Sequence, residues 1–156
     1  MKPIKIVNKY IPFKGYMAML TLFILWIREE YKNKTDLYTL NHETIHMYQQ
    51  LEILIPSITI SLILCSTVLS WWWMTLSVLL PLLIYVIAWI VEIILPPYNS
   101  AYKNICFESE AIYNEGNLNY TKGERKLFGY NWIKYISNKK YPYLNHKDRL
   151  EIWKKK

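Results

Sequence analysis

Residues 53–91 read ILIPSITISLILCSTVLSWWWMTLSVLLPLLIYVIAWIV, a run without any charged residue or histidine. One helical membrane crossing needs roughly 20 apolar residues, and this run is about twice that length. We therefore expect a transmembrane hairpin, with one span at residues 53–70 and the other at residues 74–95. The tryptophan triplet between the two spans is typical of the membrane–water interface.

Basic residues flank the apolar run on both sides and give the chain a net charge of +7. Segments next to membrane helices carry such an excess on the cytoplasmic side, so we expect both termini to be cytoplasmic at the inner membrane. The same charges favour contact with the anionic surface of a lipid bilayer and argue against nucleic acid as a partner. The 156-residue chain is predicted to form one membrane-embedded domain, residues 1–156.

The segment Asn41–His46 contains the pattern His-Glu-x-x-His. On a helix, residues four positions apart lie on one face, so His42 and His46 can bind the same ion. Zinc accepts imidazole nitrogen, and a catalytic zinc site keeps one position open for water. Glu43 is adjacent to the first histidine, where its carboxylate can act as the general base. The pattern therefore predicts a zinc metalloprotease that retains Glu43 as its catalytic residue.

Other local patterns predict the elements around this motif. The stretch Tyr16–Ile27 is too short to cross a membrane and favours a pair of strands. Thr35 or Asp36 is expected to cap the helix that carries the motif. A further helix is predicted from about residue 99 to Glu115, because Gly116 follows it. The basic and aromatic segment 117–156 is expected to lie on the membrane surface.

The segment Phe107-Glu108-Ser109-Glu110-Ala111 follows the apolar run. Together with His-Glu-x-x-His it resembles the gluzincin metalloproteases, and more closely the membrane-bound CAAX prenyl endopeptidases and related stress-response membrane proteases. The resemblance implies that His42, His46 and Glu108 bind Zn²⁺ and that Ala111 lets two helices approach closely. It also implies that Gly15–Arg28 is a strand pair whose second strand is an edge able to hold an extended substrate.

One position departs from this resemblance. The related enzymes usually place an Asp directly after the alanine, as a partner for a ligand histidine, whereas this chain has Ile112. Another group must then orient that histidine. Glu110, four residues before Asn114, is closer to the thermolysin spacing and is the alternative third ligand, with Glu115 a weaker candidate. Cys106 is a further, minor candidate for metal binding.

Several polar residues are interpreted without a catalytic role. Glu52 and Glu92 bracket the apolar run and are taken as markers of the cytoplasmic membrane boundary. Gln49 and Gln50 are interpreted as polar residues at the membrane interface, although one of them could form a hydrogen bond near the site. His146 is interpreted as a solvated loop histidine.

The fold class that we predict is a mainly α-helical integral membrane protein, in which a transmembrane hairpin is inserted in a minimal gluzincin-like zinc-peptidase domain with a small N-terminal β element. The expected function is a zinc-dependent endopeptidase at the cytoplasmic membrane face, acting on membrane-associated proteins or peptides. The alternative is a non-catalytic membrane zinc protein serving as a sensor, an anchor or a chaperone-like partner. A site-2-type intramembrane protease is disfavoured because neither predicted span contains an Asp.

Overall fold

The computed structural model describes residues 3–94, residues 105–136 and Glu151. Helices dominate these residues and a small sheet precedes them, which confirms the predicted mainly helical fold with an N-terminal β element. The elements are strands β1 (Ile4–Asn8), β2 (Ala18–Thr21) and β3 (Ile24–Arg28), and helices α1 (Leu37–Thr67), α2 (Trp73–Ile94) and α3 (Cys106–Asn114). Single 3-10 turns lie at Glu29–Tyr31, Tyr120–Lys122 and Asn131–Tyr135.

The sheet contains the predicted strand pair and a third strand that was not predicted. Strands β2 and β3 form an antiparallel hairpin, and Leu22 in their turn has a φ of 55°, a left-handed conformation that few non-glycine residues adopt. Strand β1 pairs in parallel along the other side of β3, with Ile4 opposite Ile24. The strand order is therefore β1-β3-β2. The expectation that the second strand of the pair is an edge is wrong, because β1 covers it.

Helix α1 joins the His-Glu-x-x-His motif to the first half of the apolar run. Asp36 caps its N-terminus, because the carboxylate accepts a hydrogen bond from the Thr39 N–H at 2.7 Å. The helix has 31 residues and is therefore about 46 Å long at 1.5 Å per residue. Pro56 lies inside it and does not end it, as is common in helices with apolar surroundings.

Helix α2 packs antiparallel to α1 after the short connection 68–72. The Ser57 hydroxyl donates a hydrogen bond to the Ser77 carbonyl, and the Ser77 hydroxyl donates to the Ser61 hydroxyl. These bonds satisfy polar groups between two otherwise apolar helices.

Helix α2 agrees with the predicted span at residues 74–95 to within one residue, whereas the predicted span at residues 53–70 is the C-terminal part of the longer helix α1 and ends three residues earlier, at Thr67. Within residues 3–94 and 105–136, α1 alone is long and apolar enough to cross a membrane. In α2, the apolar stretch Trp73–Ala88 is shorter than the 18 residues that a candidate span requires. A hairpin of two transmembrane helices is therefore not supported, and one candidate span remains.

The hydrophobic core lies between the sheet and the motif half of α1. Its buried members come from β2, β3 and α1: Leu20, Leu25, Ile27, Met47 and Leu51. Alternate apolar residues of the β2–β3 hairpin therefore point towards α1. Met47 and Leu51 lie one turn apart on the face of α1 that packs against them. This packing places β2 beside the His-Glu-x-x-His motif.

Helix α3 packs against the same half of α1. The Asn41 side-chain amide donates to the carbonyls of Asn114, Glu115 and Asn117, which fixes the end of α3 against α1. The helix ends at Asn114, close to the predicted end at Glu115. The helix begins at Cys106 and not near residue 99 as predicted, because Ile105 before it has a non-helical backbone. His146 lies outside the described residues, as do residues 137–150 and 152–156 of the segment predicted to lie on the membrane surface.

Candidate metal centre

The two histidines of the motif meet on one face of α1. Their Nε2 atoms are 3.1 Å apart and their rings are nearly perpendicular, with centroids 4.7 Å apart. The spacing of four residues produces this geometry, because it places the second ring directly over the first along the helix. His42 retains 18 % side-chain exposure, so the pair can be reached from outside.

Glu108 of α3 completes a cluster with His42 and His46. Its Oε2 atom lies 3.5 Å from the His42 Nε2, and its Oε1 atom lies 3.3 Å from the His46 Nε2. One ligand atom from each of the three residues can be chosen so that all lie within 4.8 Å of one another. The structure thus brings together the three residues that the sequence predicted as ligands. Ala111, buried on the same helix, leaves room for α3 to approach α1.

The donor atoms of this cluster fit a zinc ion. Bonds of about 2.0–2.1 Å in a tetrahedral site separate the ligand atoms by about 3.3 Å. The two Nε2 atoms are 3.1 Å apart, close to that value, and with one donor atom from each residue all three donors lie within 4.8 Å of one another. Two imidazoles and one carboxylate are also a common donor set of catalytic zinc, with the fourth position open.

The charge of Glu108 suits a cation site. Burial by itself would raise the pKa of the Glu108 carboxyl, but the imidazoles of His46 and His42 hold that pKa well below its ordinary value. The carboxyl is therefore ionised although it is buried. The hydroxyl of Tyr85 on α2 also donates a hydrogen bond to its Oε1 atom at 2.7 Å.

Glu115 contacts the other nitrogen of His42. Its Oε2 atom lies 2.7 Å from the His42 Nδ1, and a carboxylate can only accept there, so Nδ1 carries a proton and Nε2 is the nitrogen that would bind a metal. Glu115 lies one turn beyond Ala111, whose carbonyl accepts its N–H. In the enzymes that the sequence resembles, an Asp after the alanine orients a ligand histidine. Ile112 stands at that position here, and Glu115 contacts the histidine in its place. Ile112 itself is buried.

Gln49 contacts the other nitrogen of His46. The Gln49 Oε1 atom lies 2.7 Å from the His46 Nδ1. The Gln49 amide nitrogen donates to the Phe107 carbonyl and to the Glu110 carboxylate. Both of those partners are acceptors, so the side-chain oxygen must face His46, and His46 must donate from Nδ1. Gln49, which the sequence suggested as an interfacial residue, thus presents the Nε2 of His46 to the site.

Glu110 is not part of the cluster. Its carboxylate accepts hydrogen bonds from Arg125 at 2.7 Å, from the Tyr120 hydroxyl at 3.0 Å and from Gln49 at 2.8 Å. Burial and this nearby carboxylate raise the pKa of Tyr120, so its hydroxyl remains a donor. The geometry therefore favours Glu108 over Glu110 as the third ligand.

Glu52 forms a buried ion pair that the sequence did not indicate. Its side chain is fully buried and forms two hydrogen bonds of 3.0 Å with Arg125, and it also accepts the Tyr130 N–H. Arg125 therefore forms ion pairs with two buried carboxylates, Glu52 of α1 and Glu110 of α3. Sequence reasoning missed this arginine, because it lies in a loop 73 residues from Glu52 and no local pattern distinguishes it.

Glu43 lies beside the cluster without being one of its members. Its side chain is buried, and the backbone of Leu20 on β2 lies close to its carboxyl. The Arg28 N–H donates to the Met17 carbonyl of the neighbouring strand, so alternate residues of β2, Ala18 and Leu20, direct their backbone groups away from β3. The outer edge of β2 therefore faces the motif, and the Gln50 side chain bonds this edge at the Leu20 carbonyl and the Leu22 N–H.

Cys106 is half-buried and Cys65 is buried. Neither is a member of the three-residue cluster.

Comparisons of the chain with protein-family models, with curated proteins and with solved structures find no match.

Proposed function

We propose that this protein is a zinc-dependent endopeptidase. The convergence of His42, His46 and Glu108 supports this proposal most, because their donor atoms lie within 4.8 Å and Glu43 is adjacent on α1. Histidine nitrogens and a carboxylate at these distances could hold Zn²⁺. The hydrogen bonds from Glu115 and Gln49 support the same function, since each prepares one imidazole to bind through Nε2.

Each residue of the site then has a separate task. His42, His46 and Glu108 hold the ion, which would polarise a substrate carbonyl and lower the pKa of a water molecule towards about 7. Glu43 takes a proton from the attacking water and passes it to the leaving amine. The backbone of Leu20 on β2 lies close to the Glu43 carboxyl. An extended peptide could pair with the backbone of Ala18 on the outer edge of β2, next to Glu43.

The apolar surface supports a membrane location for this activity. Along α1 and α2, large apolar side chains are exposed, among them Ile60 at 57 %, Ile63 at 60 % and Leu82 at 61 %. Such a continuous surface is unfavourable in water and favourable in lipid. Trp71–Trp73 are also exposed at the connection between the helices, where interfacial tryptophans are expected. We therefore propose that α1 spans the inner membrane and that α2, which is antiparallel to it, returns the chain to the side where α1 begins.

The orientation and the substrates follow from the same features. Basic segments on both sides of the apolar run favour a cytoplasmic position for the termini and for the motif half of α1. The site then lies near the inner membrane surface, close to where α1 becomes apolar. Membrane-associated proteins or peptides are the substrates that can reach a site in that position.

Replacement of Glu43 tests the proposal. The protein, purified in detergent micelles, is incubated with quenched fluorescent peptides, and zinc content is measured in parallel. Glu43→Gln preserves shape but removes the base, so it should keep zinc and lose about 10²–10⁴-fold in rate. The exposed Glu124→Gln serves as a control and should hydrolyse as fast as the parent. A Glu43→Gln variant as active as the parent would refute the mechanism, while a zinc-loaded but inactive parent would favour the non-catalytic alternative.

A further inference from the structure

We propose that Tyr85, on the apolar helix α2, is a positioning residue of the metal centre that orients the Glu108 carboxylate. The Tyr85 hydroxyl donates to the Glu108 Oε1 atom at 2.7 Å. Its ring stacks on Phe107 with a centroid distance of 6.0 Å and an interplanar angle of 20°. Tyr85 therefore contacts two consecutive residues of α3. The inference rests on the proposed zinc site.

The hydroxyl and the ring of Tyr85 have different effects. A phenylalanine would stack on Phe107 equally well, so the ring alone accounts for packing between α2 and α3. Only the hydroxyl reaches Glu108. The terminal torsion of a glutamate is broad, and its carboxylate rotates easily unless a donor fixes it. A phenol at 2.7 Å supplies that donor and holds both oxygens at their distances from His42 and His46.

With Tyr85 included, every member of the cluster has its own partner. His42 is paired with Glu115, His46 with Gln49 and Glu108 with Tyr85. Partners of this kind fix the orientation of metal ligands before the metal arrives, and their loss typically costs 10–100-fold in metal affinity. Glu115 belongs to the end of α3 and Gln49 to α1, whereas Tyr85 comes from the apolar helix that returns along α1. Helix α2 is therefore part of the site.

The test compares zinc affinity in full-length variants in detergent micelles. Zn²⁺ dissociation constants are measured by competition with a chromophoric chelator, and the visible spectrum of the Co²⁺-loaded protein reports ligand geometry. Tyr85→Phe should weaken Zn²⁺ binding about 10–100-fold and alter the Co²⁺ spectrum. Tyr85→Leu, which also removes the hydroxyl, should weaken binding as well. Tyr48→Phe is the control, because that hydroxyl donates to the Thr121 carbonyl and touches no member of the cluster.

The outcomes separate this inference from the proposed function. A parent that binds zinc, with Tyr85→Phe matching its affinity and its Co²⁺ spectrum, would overturn the inference and leave the proposed function intact. A parent that binds no zinc would overturn both. Thermal unfolding of the metal-free proteins is measured alongside. If Tyr85→Phe lowers the stability of the metal-free fold by as much as it lowers the free energy of zinc binding, the role is general packing and the inference fails.

Discussion

Removal of Arg125 should destabilise the fold more than removal of any surface ion pair. The Arg125 guanidinium and the carboxylates of Glu52 and Glu110 each have 0 % side-chain exposure, and the shortest contacts are 3.0 and 2.7 Å. Arg125→Met leaves two negative charges buried without their cation. Breaking one buried pair in this way costs about 3–5 kcal/mol, so we expect a loss of at least that size here.

The measurement is the free energy of unfolding of the purified protein in mixed micelles, titrated with sodium dodecyl sulfate and followed by tryptophan fluorescence. Arg28→Met is the matched control. Arg28 pairs with Glu30 at 2.6 Å, but Glu30 is 52 % exposed, and exposed pairs contribute only about 0–1 kcal/mol. Adding Glu52→Gln and Glu110→Gln to Arg125→Met removes the unpaired charges and should recover part of the stability. A loss below about 1 kcal/mol in Arg125→Met would refute the reasoning.

Two further predictions concern the ligand set and the topology. Glu108→Gln should weaken Zn²⁺ binding in equilibrium dialysis, since a neutral amide is a poor zinc ligand, whereas Glu110→Gln should retain the metal; the reverse result would favour the thermolysin-like spacing. Because α2 runs antiparallel to α1, reporter tags at the two termini should both be cytoplasmic in intact cells, and tags found on opposite sides would contradict the proposed orientation.

Local patterns in the sequence predicted the elements whose signals are contained in a few residues. The four-residue spacing of His42 and His46 placed both imidazoles on one face, and Asp36 capped the helix as expected. The hairpin of β2 and β3 also followed from a short apolar stretch. Helices and strands have a regular backbone with a fixed number of residues per turn or per repeat. The spacing of residues in the sequence is therefore enough to predict which of them share a face.

Features that depend on contacts between distant residues were not predicted correctly. Strand β1 pairs with β3, so β3 is not the edge strand that we expected. Parallel strands are joined by a long connection, and no short sequence pattern in that connection indicates the pairing. The buried ion pair of Glu52 was not predicted because its partner, Arg125, is 73 residues away. Two membrane spans were expected, whereas among the described residues only α1 is long and apolar enough to cross a membrane.

The sequence by itself determined which helix face carries the two histidines and Glu43, and the tertiary structure decided which other side chains meet them. His-Glu-x-x-His specifies two nitrogen donors and a base, because a helix fixes their relative positions. The choice of Glu108 over Glu110 required the packing of α3 on α1, since both glutamates lie within one turn and only one faces the imidazoles. The partners Glu115 and Tyr85 likewise come from α3 and α2. Hydrogen bonds between separate elements form only after those elements pack together.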